Sequence, residues 1–337
     1  MNAPAKKIPT VSFLIAETIG REMERDPSIL VLGEDVGGLG GVFNCTRGLQ
    51  EQFGEWRVRD TPIAEMGFVG MGVGLAMSGY RPVVEIMFAD FLGVCLEQIV
   101  NAAAKIPYMS GGRVTMPLVI RTAAGSIGSA AQHSQCLWGM MAYWPGLKVV
   151  APSCPADYRG LTASALRSED PVVIFEHKSQ LNRKSDLFAR PDIGPQPEHL
   201  VPIGKASLAR DGTDVTIVTI SAAVEWALNA AESVAGEGID AAVVDLRSLV
   251  PMDMETVTSS LAKTGRLLVV DEDFRSFAMS GEVVARAVEA MGPGALRQVR
   301  RLCMPDVPLP AAKSLEDAVM PGPEKIAATL RDMAEGA

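Results

Sequence analysis

The stretch Pro82-Val-Val-Glu-Ile-Met-Phe88 decides the fold class of this chain. It is short, rich in β-branched residues and apolar on both faces, which is typical of a strand buried inside a parallel sheet. Four further segments share this character: Ile29–Gly33, Pro117–Arg121, Leu147–Ala151 and Pro171–Phe175. Helical patterns separate them, at Thr10–Asp26, Ala64–Ser78, Phe91–Tyr108 and Pro155–Ser168. This alternation predicts a doubly wound α/β domain.

The length of 337 residues predicts two domains of ordinary size or one large α/β unit. The alternation of strand and helix patterns stops in a proline-rich stretch and then resumes. The predicted strands of the second half are Asp214–Ser221, Ala241–Leu246, Arg266–Asp271 and Leu296–Leu302. The predicted helices are Ala222–Gly236, Met252–Lys263, Gly281–Ala290 and Glu324–Met333. We therefore predict an α/β domain over residues 1–178, a linker over 179–205 and a second α/β domain over 206–337.

Composition excludes several classes of protein. The 31 basic and 40 acidic residues give a net charge of −9, which argues against a nucleic-acid binder because phosphate neutralisation needs a basic surface. No run reaches the roughly 18 apolar residues that a membrane span needs. The five cysteines form no CxxC pair, which predicts neither a disulfide framework nor a zinc site and indicates a reducing, cytoplasmic location.

A glycine-rich stretch over 67–79 invites comparison with the G-x-G-x-x-G dinucleotide fingerprint. The third glycine is missing, because Leu75 or Met77 stands in its place, and no buried strand precedes the stretch. Close helix packing is the favoured interpretation. The chain also lacks a G-x-S-x-G elbow, a Walker loop and an HExxH motif.

Three titratable positions are candidates for chemistry. Glu65 precedes an apolar helix, where burial would raise its pKa, although an ordinary helix N-terminal glutamate fits the same pattern. His133 follows a loop of small residues after a buried strand, where ligands gather in α/β sheets; a structural histidine is the alternative. Glu34 and Asp35 follow the first predicted strand, where catalytic groups are often found. A pair of turn-forming acids is the alternative interpretation.

A series of motifs, in order along the chain, points to one family. They are Gly33-Glu-Asp-Val36, Gly40-Gly-Val-Phe43, Thr46-Arg-Gly-Leu49, Arg57-Val-Arg-Asp-Thr-Pro-Ile-Ala-Glu-Met-Gly-Phe68, Ala131-Gln-His-Ser-Gln135, Pro145-Gly-Leu-Lys-Val-Val-Ala-Pro152, Asp170-Pro-Val-Val173 and Leu249-Val-Pro-Met-Asp253. From about Thr10 to Leu330 the chain resembles the β subunit of the decarboxylating first component of 2-oxo acid dehydrogenase complexes, a relative of transketolase.

This resemblance implies an N-terminal pyrimidine-binding domain, a C-terminal transketolase-like domain and a thiamine diphosphate enzyme. In the family the cofactor lies between the subunits of an α2β2 heterotetramer. The α subunit holds the diphosphate and magnesium through a G-D-G…N motif, and the β subunit supplies the aminopyrimidine pocket. This sequence contains no G-D-G, which fits a β subunit. The expected partners are an α subunit, a lipoyl acyltransferase and a small 2-oxo acid.

The resemblance also implies roles for individual residues. Glu65 matches the glutamate that bonds the aminopyrimidine nitrogen N1′, Phe91 matches the aromatic residue packed on that ring, and Phe88 lines the same pocket. Glu34 matches an acid of a proton relay, and His133 matches a histidine on the substrate side. A potassium site of backbone carbonyls matches Leu118, Ala165, Leu166, Ser168 and Asp170, where Ser168 and Asp170 differ in type from the residues expected.

The function implied is oxidative decarboxylation of a 2-oxo acid followed by acyl transfer to lipoamide. An acetoin-cleaving dehydrogenase is the nearest alternative, since Glu176-His-Lys178 is somewhat similar to that system. A transketolase-type ketol transferase ranks lower because it usually carries the magnesium motif on the same chain. An inactive assembly subunit is disfavoured by the presence of Glu65 and His133.

Overall fold

The apolar runs become the strands of two sheets in the computed structural model, which describes residues 9–184, 200–292 and 294–335. The strands are β1 (Ile29–Gly33), β2 (Val58–Asp60), β3 (Arg81–Phe88), β4 (Val119–Ala124), β5 (Lys148–Val150), β6 (Val172–His177), β7 (Ser207–Arg210), β8 (Val215–Thr219), β9 (Ala241–Asp245), β10 (Ser248–Val250), β11 (Arg266–Phe274) and β12 (Gln298–Met304). One sheet has the order β10-β5-β6-β4-β3-β1-β2 and the other β12-β11-β8-β9-β7. Only β10 and β7 pair in antiparallel fashion among these strands, so the predicted α/β class is confirmed.

The helices cover both faces of each sheet. They are α1 (Val11–Arg25), α2 (Leu49–Phe53), α3 (Glu65–Met77), α4 (Ile106–Met109), α5 (Trp138–Ala142), α6 (Pro155–Leu166), α7 (Lys178–Leu181), α8 (Ala223–Ala235), α9 (Met254–Thr264), α10 (Met279–Met291), α11 (Lys313–Val319) and α12 (Pro323–Glu335). The first begins where the sequence predicts, because the Thr10 side chain accepts a hydrogen bond from the Phe13 amide.

The prediction of one regular α-helix over Phe91–Tyr108 is wrong. The chain instead forms a 3₁₀ segment over Ala89–Cys95, a π-helical segment over Glu97–Ala103 and then the short α4. Gly93 weakens regular helix at the start, and Pro107 cannot sit in a helix interior. The segment therefore bends, and it places Phe91 near the end of β3 rather than along a straight helix.

One apolar core joins the two sheets. Leu261 of α9 and Val283 of α10 belong to the same buried cluster as Phe175 of β6. Full burial of such side chains contributes about 1.5–3 kcal/mol each. The strand β10 strengthens the connection, since it leaves the second half of the chain and pairs with β5 of the first sheet. Sequence reasoning assigned this segment wholly to the second domain.

The predicted linker lies largely outside the described residues, over 185–199. Its first residues form α7. Its last residues pack on the first domain, where Val201 is buried and touches Gly160 of α6. Within the described ranges, the longest apolar helices fall short of what a bilayer crossing requires.

Candidate active site

The predicted catalytic and cofactor-binding residues lie at one edge of the first sheet. Glu34 follows β1, Glu65 begins α3 after β2, Phe88 ends β3, and His133 lies in the loop after β4. These four strands are parallel neighbours, so their carboxyl ends meet at the same edge. Ligands of α/β proteins bind at such edges.

Aromatic rings form one side of the site. The Phe88 ring centroid lies 4.8 Å from that of His133 and 5.6 Å from that of Phe91, in edge-to-face contact. His133 and Phe91 are 5.6 Å apart in the same way. Phe43, which sequence reasoning did not assign to the site, packs on Phe88 at 5.8 Å. The four rings fix one another and present a surface on which a flat heteroaromatic group can pack.

Two carboxylates form another side. Glu34 is 7% exposed, and burial first, then the negative charges of Glu65 and Asp35, raises its pKa. Glu65 is only half-buried, and the neighbouring residues Ala64 and Met66 are exposed. The sequence predicts a buried or interface position for Glu65, and this chain alone buries it only in part. Enclosure would have to come from another surface.

Glu65 is electrostatically connected to the aromatic side. Burial first, and then the charge of Glu65, raises the pKa of the Cys95 thiol to about 12. Cys95 lies one helical turn beyond Phe91, and its thiol contacts the Phe91 carbonyl at 3.9 Å. The carboxylates and the rings follow neighbouring parallel strands at the same edge, so we treat them as parts of one candidate site.

Several buried polar atoms at this edge are left without a partner. Among the described residues, no hydrogen bond reaches Glu34 Oε1, Thr61 Oγ1, Asp90 Oδ2 or Ser134 Oγ. A buried polar atom left unpaired costs about 1–3 kcal/mol. These atoms follow the ends of β1, β2 and β3 or adjoin His133, so the edge is shaped to receive a polar ligand.

Lys178 is a buried cation that sequence reasoning left out of the site. Its ammonium donates to the backbone carbonyl of His133 and lies 5.2 Å from the centre of the Phe88 ring. Burial lowers the pKa of Lys178, and Asp90 is the leading opposing charge. Lys178 directly follows β6, which pairs with β4, so the strand order would have indicated its proximity to the His133 loop.

A buried ion triad lies within the strands that carry the site residues. Arg121 of β4 donates to both carboxylate oxygens of Glu176 at 2.9 and 2.7 Å, and to Glu85 at 2.8 Å. Burial raises the pKa of Glu85, and Arg121 opposes that shift. The triad connects β3, β4 and β6, the three strands that carry Phe88, the His133 loop and Lys178.

The glycine-rich helix α3 has two different faces. A Cβ on Gly72 would approach Val84 of β3 to 2.7 Å, so close packing explains this glycine. The opposite face points away from the sheet and is apolar and largely exposed; we call it the α3 stripe, composed of Ile63, Met66, Gly67, Gly70, Met71, Gly74 and Met77. This stripe adjoins Glu65.

The expected potassium positions surround one turn, but cationic side chains already occupy it. The Arg81 guanidinium donates to the carbonyls of Leu166 at 3.0 Å and Ser168 at 2.6 Å. Lys148 lies 2.9 Å from the Asp170 carboxylate. The carbonyls of Ala165 and Leu118 each accept a backbone amide. All five of these backbone carbonyls already accept a hydrogen bond from a side chain or a backbone amide, so the residues fit potassium poorly.

Magnesium has no visible ligand set here. In the parts of the chain that the structure describes, no group of three or more His, Cys, Asp and Glu side chains is arranged to hold a metal ion. We therefore assign no magnesium ligand to this chain.

Comparison with known proteins places the whole chain. Residues 8–184 match the transketolase pyrimidine binding domain, and residues 204–326 match the transketolase C-terminal domain. A split-gene transketolase, described as an inactive beta4 tetramer, has the same fold, with a TM-score of 0.78 over 97% of this chain and 98% of its own, at 22% identity.

Curated relatives align over nearly the full length. The acetoin:2,6-dichlorophenolindophenol oxidoreductase subunit beta of Cupriavidus necator is 42% identical over 98% of this chain and 99% of its own. The 2-oxoisovalerate dehydrogenase subunit beta of Bacillus subtilis is 43% identical over 93% of this chain and 95% of its own. The mitochondrial pyruvate dehydrogenase E1 component subunit beta of Homo sapiens is 40% identical over 95% of this chain and 89% of its own. With the site at the pyrimidine-domain edge and both domain models matched, the chain belongs to the transketolase-related family of β subunits of 2-oxo acid and acetoin dehydrogenases.

Proposed function

We propose that this chain is the β subunit of a thiamine-diphosphate-dependent 2-oxo acid dehydrogenase first component. The enzyme decarboxylates a small 2-oxo acid oxidatively and transfers the acyl group to the lipoyl group of a partner acyltransferase. One observation carries the proposal: Glu34, Glu65, Phe88, Phe91 and His133 converge on a single edge of the first sheet.

The residues present fit the aminopyrimidine end of thiamine diphosphate. The Phe88 and Phe91 rings can pack on a flat heteroaromatic ring, and the unpaired Glu34 Oε1 and the carboxylate of Glu65 can take up its polar atoms. Thiamine diphosphate, when bound, supplies a nucleophilic carbon and an electron sink for decarboxylation. Burial of the site would strengthen each of these polar contacts.

We assign to the chain's own residues the roles that the family resemblance implies. Glu65 shares a proton with the pyrimidine nitrogen, and Glu34, whose pKa burial raises, can hold a proton beside it. Phe88 and Phe91 exclude water from the ring faces. His133 faces the substrate side, where it orients the substrate carboxylate or moves a proton during acyl transfer.

The same geometry supports an α subunit as an obligate partner. The half-buried Glu65 and the exposed α3 stripe form a surface that remains open in this chain. We propose that an α subunit covers this surface, holds the diphosphate and magnesium, and assembles with this chain as an α2β2 heterotetramer. An exposed apolar patch of this kind is typical of protein interfaces.

Acetoin cleavage is the second candidate function. The Cupriavidus necator acetoin oxidoreductase β subunit aligns with 98% of this chain. A hydrophobic pocket discriminates one methylene by only about 1–3 kcal/mol, so the residues around Phe88, Phe91 and Leu92 do not decide between substrates.

A dye-reduction assay tests the proposal and separates the two candidates. The chain is co-expressed with its α subunit, loaded with thiamine diphosphate and magnesium, and supplied with pyruvate, 2-oxoisovalerate or acetoin. Turnover of a 2-oxo acid supports the main proposal, and turnover of acetoin alone supports the second. No turnover of either class by the complete, loaded assembly would refute both.

A further inference from the structure

The loop that carries His133 is held in an unfavourable conformation. We call residues 125–136, between β4 and α5, the His133 loop. Ala130 has a φ of 60°, a left-handed conformation that costs energy for any residue with a Cβ. Such residues persist only where the surroundings determine the backbone. The contacts that hold this loop therefore matter for where His133 lies.

The first domain holds the end of the loop that carries His133. Lys178 donates to the His133 carbonyl. Asp90 Oδ1 accepts from the Gln135 side chain at 2.8 Å and from the Gln135 amide at 3.4 Å. These contacts fix the two residues on either side of Ser134.

The second domain holds the beginning of the loop. Glu316 of α11 accepts two hydrogen bonds on Oε2, from Ser126 Oγ at 2.5 Å and from the Gly128 amide at 2.7 Å. Glu272 of β11 accepts from the Ser126 amide at 2.9 Å. Both glutamates are buried. Hydrogen bonds to a carboxylate are about twice as strong as neutral ones, so these contacts are well suited to hold a strained loop.

His177 also contacts the beginning of the His133 loop. His177 Nε2 lies 2.7 Å from Glu272 Oε2, and a Cβ on Gly125 would approach the His177 ring to 2.0 Å. The start of the loop is thus pressed against His177 while Glu272 bonds both.

We propose that Glu316 and Glu272 are positioning residues that set the His133 loop, so that the C-terminal domain controls the placement of His133. This inference rests on the proposed function for its kinetic consequence. Its structural part concerns the chain alone. The competing explanation is that the two glutamates simply hold the domains together.

Hydrogen exchange on the isolated chain tests the structural part. Glu316→Ala removes both bonds, and we expect exchange in peptides of the His133 loop to rise at least about tenfold while β4 and β6 exchange as in the parent. Glu316→Gln keeps an oxygen that can accept both bonds, so its loop should stay close to the parent. Asp317→Asn, an exposed neighbour on the same helix paired with Lys313, is the control and should change nothing.

Steady-state kinetics of the α-containing assembly test whether the placement of the His133 loop affects turnover. A displaced His133 should lower kcat of Glu316→Ala by about tenfold or more with little change in KM or cofactor affinity, and Glu316→Gln should restore most of it. If Glu316→Ala does not fold, Glu316→Asp withdraws the carboxylate by one methylene and should give the same pattern more weakly.

Three results would overturn the inference. Unchanged loop exchange in the Ala or Asp variant would show that Glu316 does not hold the loop. Exchange raised throughout both domains would show a structural role only. A loosened loop with unchanged kcat would show that loop placement does not serve the reaction. If the parent assembly itself turned over no substrate, the proposed function would fail while the exchange result still decided whether Glu316 positions the loop.

Discussion

Glu65 and Glu34 have unequal surroundings although they act on each other. Glu34 is buried and its pKa is raised, whereas Glu65 stands half-open at the start of α3. A carboxyl that must share a proton with a ring nitrogen needs a water-poor site. The open side of Glu65 therefore indicates that its working environment forms only after assembly.

Replacing Glu65 tests its role directly. In the α-containing assembly, Glu65→Gln should slow hydrogen exchange at the thiazolium C2 by about 10²–10⁴-fold, the usual contribution of general acid–base catalysis. Chain stability should change by no more than about 1 kcal/mol, since only a favourable helix N-terminal charge is lost. Glu97→Gln, at an exposed position, is the matched control. C2 exchange as fast as in the parent would remove Glu65 from the mechanism.

At the scale of elements, α3 serves two purposes. Gly72 allows it to press on β3, and its opposite apolar face is exposed beside Glu65. Because Glu65 is the first residue of this helix, the proposed catalytic carboxylate lies beside the surface that an α subunit would cover.

A bulky residue on the α3 stripe should block assembly without harming the chain. A Cβ on Gly74 meets nothing within 4 Å, so Gly74→Leu should leave the chain as stable as before or up to about 1 kcal/mol more stable, because leucine is the better helix former. Affinity for the α subunit should fall at least about tenfold, as measured by sedimentation. Gly236→Leu, also in open space, is the control. Unaltered affinity in Gly74→Leu would place the α subunit elsewhere.

The strand β11 brings a titratable pair to the domain interface. Asp271 accepts from the Trp138 indole of α5 at 3.1 Å. Burial first, and then the charge of Asp273, raises the pKa of Asp271 to about 7, and burial raises that of Asp273 to about 6. Between the ordinary aspartate pKa of 3.8 and these raised pKa values, the folded chain holds protons that the unfolded chain has lost.

Stability should therefore fall as the pH rises through this window. The slope is at most about 1.4 kcal/mol per pH unit for each proton retained. Denaturant unfolding between about pH 4 and 7 should show a shallower decline for Asp271→Asn than for the parent. Glu289→Gln, exposed on α10, should follow the parent curve. Parallel curves for Asp271→Asn and the parent would mean that Asp271 keeps an ordinary pKa.

Sequence patterns predicted the elements whose signal is local. The runs of β1, β3 and β6 are mostly apolar, and the positions after such strands indicated Glu34 and His133. The three-residue β10 has no periodicity, and its partner β5 lies far along the chain. The contacts of Glu316 and Lys178 with the His133 loop depend on strand order and domain packing, which no local pattern contains.

At the scale of the whole molecule, two domains share one core and hold one loop between them. The first domain supplies the residues that line the site, and the second supplies glutamates that fix the His133 loop. The site nevertheless stays open at Glu65, and the sequence lacks a G-D-G motif. Together these features support the proposal that this chain provides half of a cofactor site.

Calorimetric titration with thiamine diphosphate and magnesium tests that central claim. The purified chain alone should show no measurable magnesium-dependent binding, and the chain assembled with its α subunit should bind the cofactor tightly. Tight magnesium-dependent binding by the chain alone would contradict the division of the site between two subunits.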